Sequence, residues 1–220
     1  MRRKLGLVLA TVVALLFPSN AAAGPDPHLK TIHLRVSVFN DALVPPSVLR
    51  EAEARTRSVL EEAGISLTWL DCGTPGNWHA DLGCRDVSFP FHLSVRLVSG
   101  QKTGRADIFG QSFLNEQGQG SYANVYLTPL SRAKALEVVR EGDLLGYVVV
   151  HELGHLLLGK NSHSAEGLMR AKWELSELRE AARGNLSFSR TEAASMRARY
   201  WSALTPDGGE VSAELRSNGK

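Results

Sequence analysis

His151-Glu152-Leu153-Gly154-His155 sets two imidazoles four residues apart, followed by Leu156-Leu157-Leu158-Gly159 and then His163. On a helix, four residues make slightly more than one turn, so the two rings leave the same side and can share one ion. Zn2+ favours nitrogen donors in a tetrahedral site, and a catalytic site keeps its fourth position open to water. Glu152, beside the first imidazole, stands where it can accept that water's proton. The bland alternative is a chance pair of histidines in a buried helix. Its neighbours argue against it: Leu144 to Leu158 is apolar on nearly every side, the pattern of a helix inside a domain. Unsatisfied polar side chains there cost on the order of a few kcal/mol each. One shared ion satisfies both histidines, whereas separate hydrogen bonds need several independent partners.

A catalytic zinc takes three protein ligands. Two residues are candidates for the third, His163, eight residues past His155, and Glu174, nineteen past it. His163 is preferred on ligand type and loop geometry. Glu174, Glu177 and Glu180 have the spacing of an ordinary solvated helix face.

The elements that must position these groups begin at Thr31–Phe39, where Ile32, Leu34, Val36 and Val38 alternate with His33, Arg35 and Ser37 as in a half-buried strand. Pro45-Pro46-Ser47 opens a helix to about Ala63, with an apolar stripe of Leu49, Ala52, Thr56, Leu60 and Ala63. Glu51–Arg55 and Glu53–Arg57 are expected ion pairs on its wet side, and Gly64 is its stop. Ile65–Leu70 is a second strand, and this β-α-β order favours a parallel pair. A third strand spans Phe91–Val98, with His92 facing away from Leu93, Val95 and Leu97. The Gly-interrupted Arg105–Leu114 segment suits a short or bulged edge strand, and Tyr122–Thr128 a fifth strand ahead of Pro129. Helices are expected over Ser131–Arg140, over Leu144–Leu158 with Asp143 as cap, and over about Ala171–Arg183. A last helix, opened by the Ser189/Glu192 capping box, runs to about Trp201. The fold class is therefore α+β, with a mixed twisted sheet of about five strands, a buried site-bearing helix and a mostly helical C-terminal part.

The chain has 220 residues and a net charge of +2. Arg2-Arg3-Lys4, the apolar run Leu5–Phe17 and Ala21-Ala22-Ala23 read as an export signal, residues 1–23, whose apolar run is too short for a membrane anchor. That leader carries three of the basic residues, so the remainder is near neutral and has no basic stripe for nucleic acid. Residues 24–204 form one domain, and 205–220 a polar, disordered tail. Export to a periplasmic or extracellular compartment predicts a disulfide between the two cysteines, Cys72 and Cys84. Nothing calls for a membrane after leader removal or for a second copy, so a monomer is expected. Trp78-His79, in the Cys72–Cys84 loop, is assigned to the surface of that loop.

The order of strands and helices ending in His-Glu-x-x-His, then Gly159, His163 and Met169, resembles the metzincin peptidases, above all matrixin-like and archaemetzincin-like members. The resemblance spans roughly Thr31 to Met169, and its specific motifs cover only His151 to Met169. It implies a zinc-dependent peptidase with His151, His155 and His163 as ligands and Glu152 as general base. It further implies a turn at Gly159, Met169 as a floor beneath the metal, and a peptide or protein substrate along an edge strand near Ile108–Phe113. The chain departs from the family pattern in its longer spacing: Gly159 is four and His163 eight residues after His155, where the family has three and six. Arg170 stands where a Pro often follows the Met, and no Tyr sits nearby as an extra donor. With Glu174 as third ligand the chain resembles the gluzincins instead. Two other functions remain open on the sequence: a non-catalytic exported metal-binding or interaction module, and hydrolysis of a non-peptide amide at the same site.

Overall fold

A computed structural model describes residues 31–79, 83–100, 108–131, 137–161 and 163–204. Strand β1 (Ile32–Asn40) is an inner strand whose alternate residues Ile32, Leu34, Val36 and Val38 are all buried. Helix α1 (Pro46–Glu62) follows, and the chain returns in β2 (Ile65–Asp71), parallel to β1. A two-residue hairpin, β3 (Gly73–Thr74) and β4 (Asn77–Trp78), was not foreseen from the sequence. It lies in the segment closed by the Cys72–Cys84 disulfide, which is formed. Then come β5 (His92–Val98), β6 (Gly110–Phe113) and β7 (Tyr122–Tyr126). The sheet order is β2-β1-β5-β7-β6, with every neighbouring pair parallel except β6 against β7. The mixed five-stranded sheet is the expected one, and β6 is its antiparallel edge.

The expected fifth strand is too long. It stops at Tyr126, and Leu127–Ser131 turns into a short helix α2. Pro129 is tolerated there because the missing N–H of a first-turn residue has no helical partner to lose. Half of the expected Ser131–Arg140 helix (132–136), the leader and the 205–220 tail fall outside the described residues. No helix among the described residues is long and apolar enough to cross a membrane.

Helix α3 (Glu141–Leu158) carries the histidine pair and buries every residue from Gly142 to Leu157. It starts earlier than expected. Arg140 is the N-cap, and Asp143 lies inside the first turn, with its carboxylate 3.0 Å from Arg55 Nε and 2.8 Å from Arg140 Nη2. Arg55 therefore reaches across to α3 instead of pairing with Glu51, while the Glu53–Arg57 pair forms at 2.8 Å as expected. Two glycines let α1 approach α3. A Cβ on Gly146 would stand 2.7 Å from Ala52 O, and one on Gly142 2.4 Å from Glu51 Cβ. Burial of each Leu or Val along α3 contributes about 1.5–3 kcal/mol, which holds the helix against the sheet despite its buried polar trio.

Helices α4 (Leu175–Arg183) and α5 (Arg190–Leu204) complete the chain. The former begins later than expected, since Glu174 is its N-cap: Glu174 N donates to Glu177 Oε2 at 2.9 Å. The Ser189/Glu192 box closes α5 in both directions, at 2.8 and 3.2 Å.

Candidate metal centre

His151 and His155 leave α3 on one side, and their Nε2 atoms face each other at 3.1 Å. Each ring is fixed from behind. His151 Nδ1 donates to Leu168 O at 2.8 Å, and His155 Nδ1 donates to Lys160 O at 2.9 Å. A carbonyl oxygen can only accept, so both protons sit on Nδ1 and a neutral ring presents a bare lone pair at Nε2. Burial favours those neutral rings. It lowers the pKa of His151 to about 4, helped by His155, and lowers that of His155 in the same direction. Two lone pairs at this distance repel unless a cation lies between them. Two nitrogens bound to one tetrahedral zinc at ~2.0–2.1 Å stand about 3.3 Å apart, close to the observed separation.

His163 completes the group. Its ring centroid lies 5.5 Å from that of His151 and 4.9 Å from that of His155. One nitrogen from each of the three falls within 4.8 Å of the others. His163 is exposed whereas the other two are buried, which gives the site one open side. The donor set, three imidazoles of which His151 and His155 already hold their outer nitrogens on carbonyls, fits Zn2+.

The loop that delivers His163 is built from backbone bonds. Helix α3 ends at Gly159, whose φ of 68° is the left-handed conformation that glycine adopts without a Cβ clash. Gly167 (φ 77°) turns the chain again, and Ser164 N donates to Met169 O at 2.8 Å, closing the loop directly after His163. Ser164 Oγ also donates to Glu192 Oε1 on α5. The chain directly after His163 is thus closed on itself and pinned to α5. Met169, only 1% exposed, lies against α3, where a Cβ on Gly154 would be 2.6 Å from its Sδ. Gly154 thereby makes room for Met169 between the two histidines.

Glu174 is elsewhere. It caps α4, is exposed, and its carboxylate accepts from Arg170 Nη2 at 2.7 Å. Among the described residues the metal-capable group consists of the three histidines, without Glu174.

Glu152 is 5% exposed. Burial raises its carboxyl pKa to about 7, opposed by a hydrogen bond from Ser112 Oγ to Oε2 at 2.6 Å. Ser112 was not singled out in the sequence; its polar side chain at an inward position of an edge strand was the available signal. Trp173 was missed as well, and nothing in the sequence marks it. Its Nε1 donates to Leu168 O at 3.0 Å, and its ring lies edge-on to His151 with centroids 6.0 Å apart. Trp78 packs edge-on against Phe39, with Arg96 over both rings, so it belongs to the packing of the disulfide loop on the sheet.

No family model matches the chain, and no curated protein sequence does. Some solved structures are similar to it. An archaemetzincin from Methanopyrus kandleri is 19% identical, with a TM-score of 0.49, over 79% of this chain and 97% of that one. A zinc-dependent peptidase from Methanocorpusculum labreanum is 15% identical, with a TM-score of 0.49, over 73% and 99%. Metalloproteinase-II from Bacteroides fragilis is 11% identical, with a TM-score of 0.47, over 76% of this chain and 53% of that one.

Proposed function

We propose that the chain is an exported zinc metallopeptidase, with His151, His155 and His163 holding the metal and Glu152 acting as general base. The observation that carries this reading is the convergence of three histidine nitrogens within 4.8 Å, next in sequence to a buried carboxyl with a pKa of about 7. A bound Zn2+ supplies Lewis acidity, polarising a carbonyl and acidifying water. Glu152 would take the proton released on attack and return it to the leaving amine. Strand β6 is the sheet edge beside α3, and an extended peptide can add to its free backbone groups as a further strand. Export follows from the leader-like N-terminus and agrees with the Cys72–Cys84 disulfide.

A non-catalytic metal module is the second reading. The buried, proton-ready Glu152 speaks against it, because a structural zinc has no use for a base and is usually fully ligated. The test is Glu152→Ala in the zinc-loaded protein, assayed on a broad peptide library. Retained zinc with lost cleavage supports the peptidase; unchanged cleavage overturns the role of Glu152. A parent protein that binds zinc yet cleaves nothing favours the module.

A further inference from the structure

Ser112 makes two contacts to one residue. Its hydroxyl lies 2.6 Å from Glu152 Oε2 and 2.9 Å from Glu152 O, the main-chain carbonyl of the same residue. On β6, Ser112 and Gly110 are two apart and therefore share a face. That face looks inward, since their cross-strand partners on β7 are the buried Ala123 and Val125. Gly110 is shaped for the same neighbour: a Cβ there would stand 2.3 Å from Glu152 Oε1 and 2.6 Å from Cδ. One carboxylate oxygen thus rests against a missing side chain and the other against a hydroxyl. Both oxygens accept and the hydroxyl has one proton, so Ser112 shares that proton between the end of the Glu152 side chain and the carbonyl of the same residue, which limits the side chain's rotamers.

We infer that Gly110 and Ser112 form a seat that positions the Glu152 carboxylate, tying the base to the edge strand along which substrate would lie. This rests on the peptidase reading above. The hydrogen bonds of Ser112 go to Glu152, so it is a positioning residue acting through Glu152. A hydrogen bond to a charged group is worth enough that its loss lowers turnover by about tenfold or more.

The experiment is Ser112→Ala and Ser112→Thr in the zinc-loaded protein, with zinc stoichiometry, kcat and KM measured on one peptide. Expected are full zinc in both, a kcat lowered about tenfold with KM within about twofold for Ser112→Ala, and recovery of kcat in Ser112→Thr, which keeps the hydroxyl. Gly110→Ala displaces the same carboxylate and should likewise lower kcat. Equal kcat in parent and Ser112→Ala overturns the inference. A second measurement needs no turnover: urea midpoints for Ser112→Ala, Glu152→Ala and the double variant. If the seat exists, the two shifts are not additive; additive shifts overturn it. A parent without peptidase activity defeats the peptidase reading alone, because the urea cycle still decides whether Ser112 and Glu152 are coupled.

Discussion

Trp173 Nε1 and His151 Nδ1 donate to the same atom, Leu168 O, at 3.0 and 2.8 Å. That carbonyl fixes the tautomer of the first candidate ligand, and the indole fixes the carbonyl. Groups that orient a metal-binding histidine typically govern affinity by about 10–100-fold. Trp173→Phe keeps the ring packed against Tyr147 and His151 but removes the N–H. It should weaken zinc affinity toward the lower end of that range, about tenfold, without unfolding the protein. Competition titration with a chromogenic chelator measures this, and an unchanged affinity would show that Leu168 O needs no second donor.

Removing the third donor separates the two ligand sets directly. His163→Ala should lose stoichiometric zinc after dialysis, because two histidines alone leave the metal half-coordinated. Glu174→Ala should keep zinc and cost little stability, since its ion pair with Arg170 is largely exposed. Metal analysis of the two variants decides. Zinc lost from Glu174→Ala and kept in His163→Ala would transfer the protein to the gluzincin arrangement.

The parts legible in the sequence are those with strong local signals. Alternation in Ile32–Val38 marked an inner strand, the apolar run around His151 marked the buried helix, and a close cysteine pair behind a leader-like N-terminus marked the disulfide. What was misread depends on long-range competition. Arg55 has Glu51 one turn away but reaches Asp143, 88 residues on, because α1 and α3 pack closely at Gly142 and Gly146. Likewise Glu174 scans as mid-helix, yet the Glu177 carboxylate draws its N–H into a cap and moves the helix start to Leu175. The sequence preferred His163 over Glu174 without the bonds that hold its loop, because spacing alone cannot show that Ser164 N closes onto Met169 O and Ser164 Oγ onto Glu192.

The close approach of α1 to α3 predicts the sign of a glycine substitution. An alanine at an exposed helical position is favoured over glycine by ~0.8–1.0 kcal/mol. At Gly146 the added methyl meets Ala52 O at 2.7 Å, a backbone atom that cannot move alone. Overpacking costs about 1–3 kcal/mol and exceeds the propensity gain. Gly146→Ala should therefore lower the thermal midpoint by roughly 2–6 °C for a domain of this size, as calorimetry would detect. A raised midpoint would mean that the helices separate freely.

His92 gives the fold a pH dependence outside the candidate metal centre. It is 2% exposed, and its Nε2 lies 2.7 Å from Ser37 Oγ across the β1–β5 pair. Burial, then the nearby Arg35 charge, lower its pKa below 6.5, against an opposing pull from Asp86. The folded chain thus resists a proton that the unfolded chain accepts. Its contribution is present above the unfolded pKa of ~6.5 and is lost as pH falls from there toward the lower folded value. His92→Gln keeps a polar partner for Ser37 but cannot titrate. Between about pH 7 and pH 5 its urea midpoint should fall less steeply than that of the parent. Because His151 and His155 are also buried and neutral, the difference between the two slopes, not either slope alone, reports on His92. Parallel slopes would place the proton uptake on other groups.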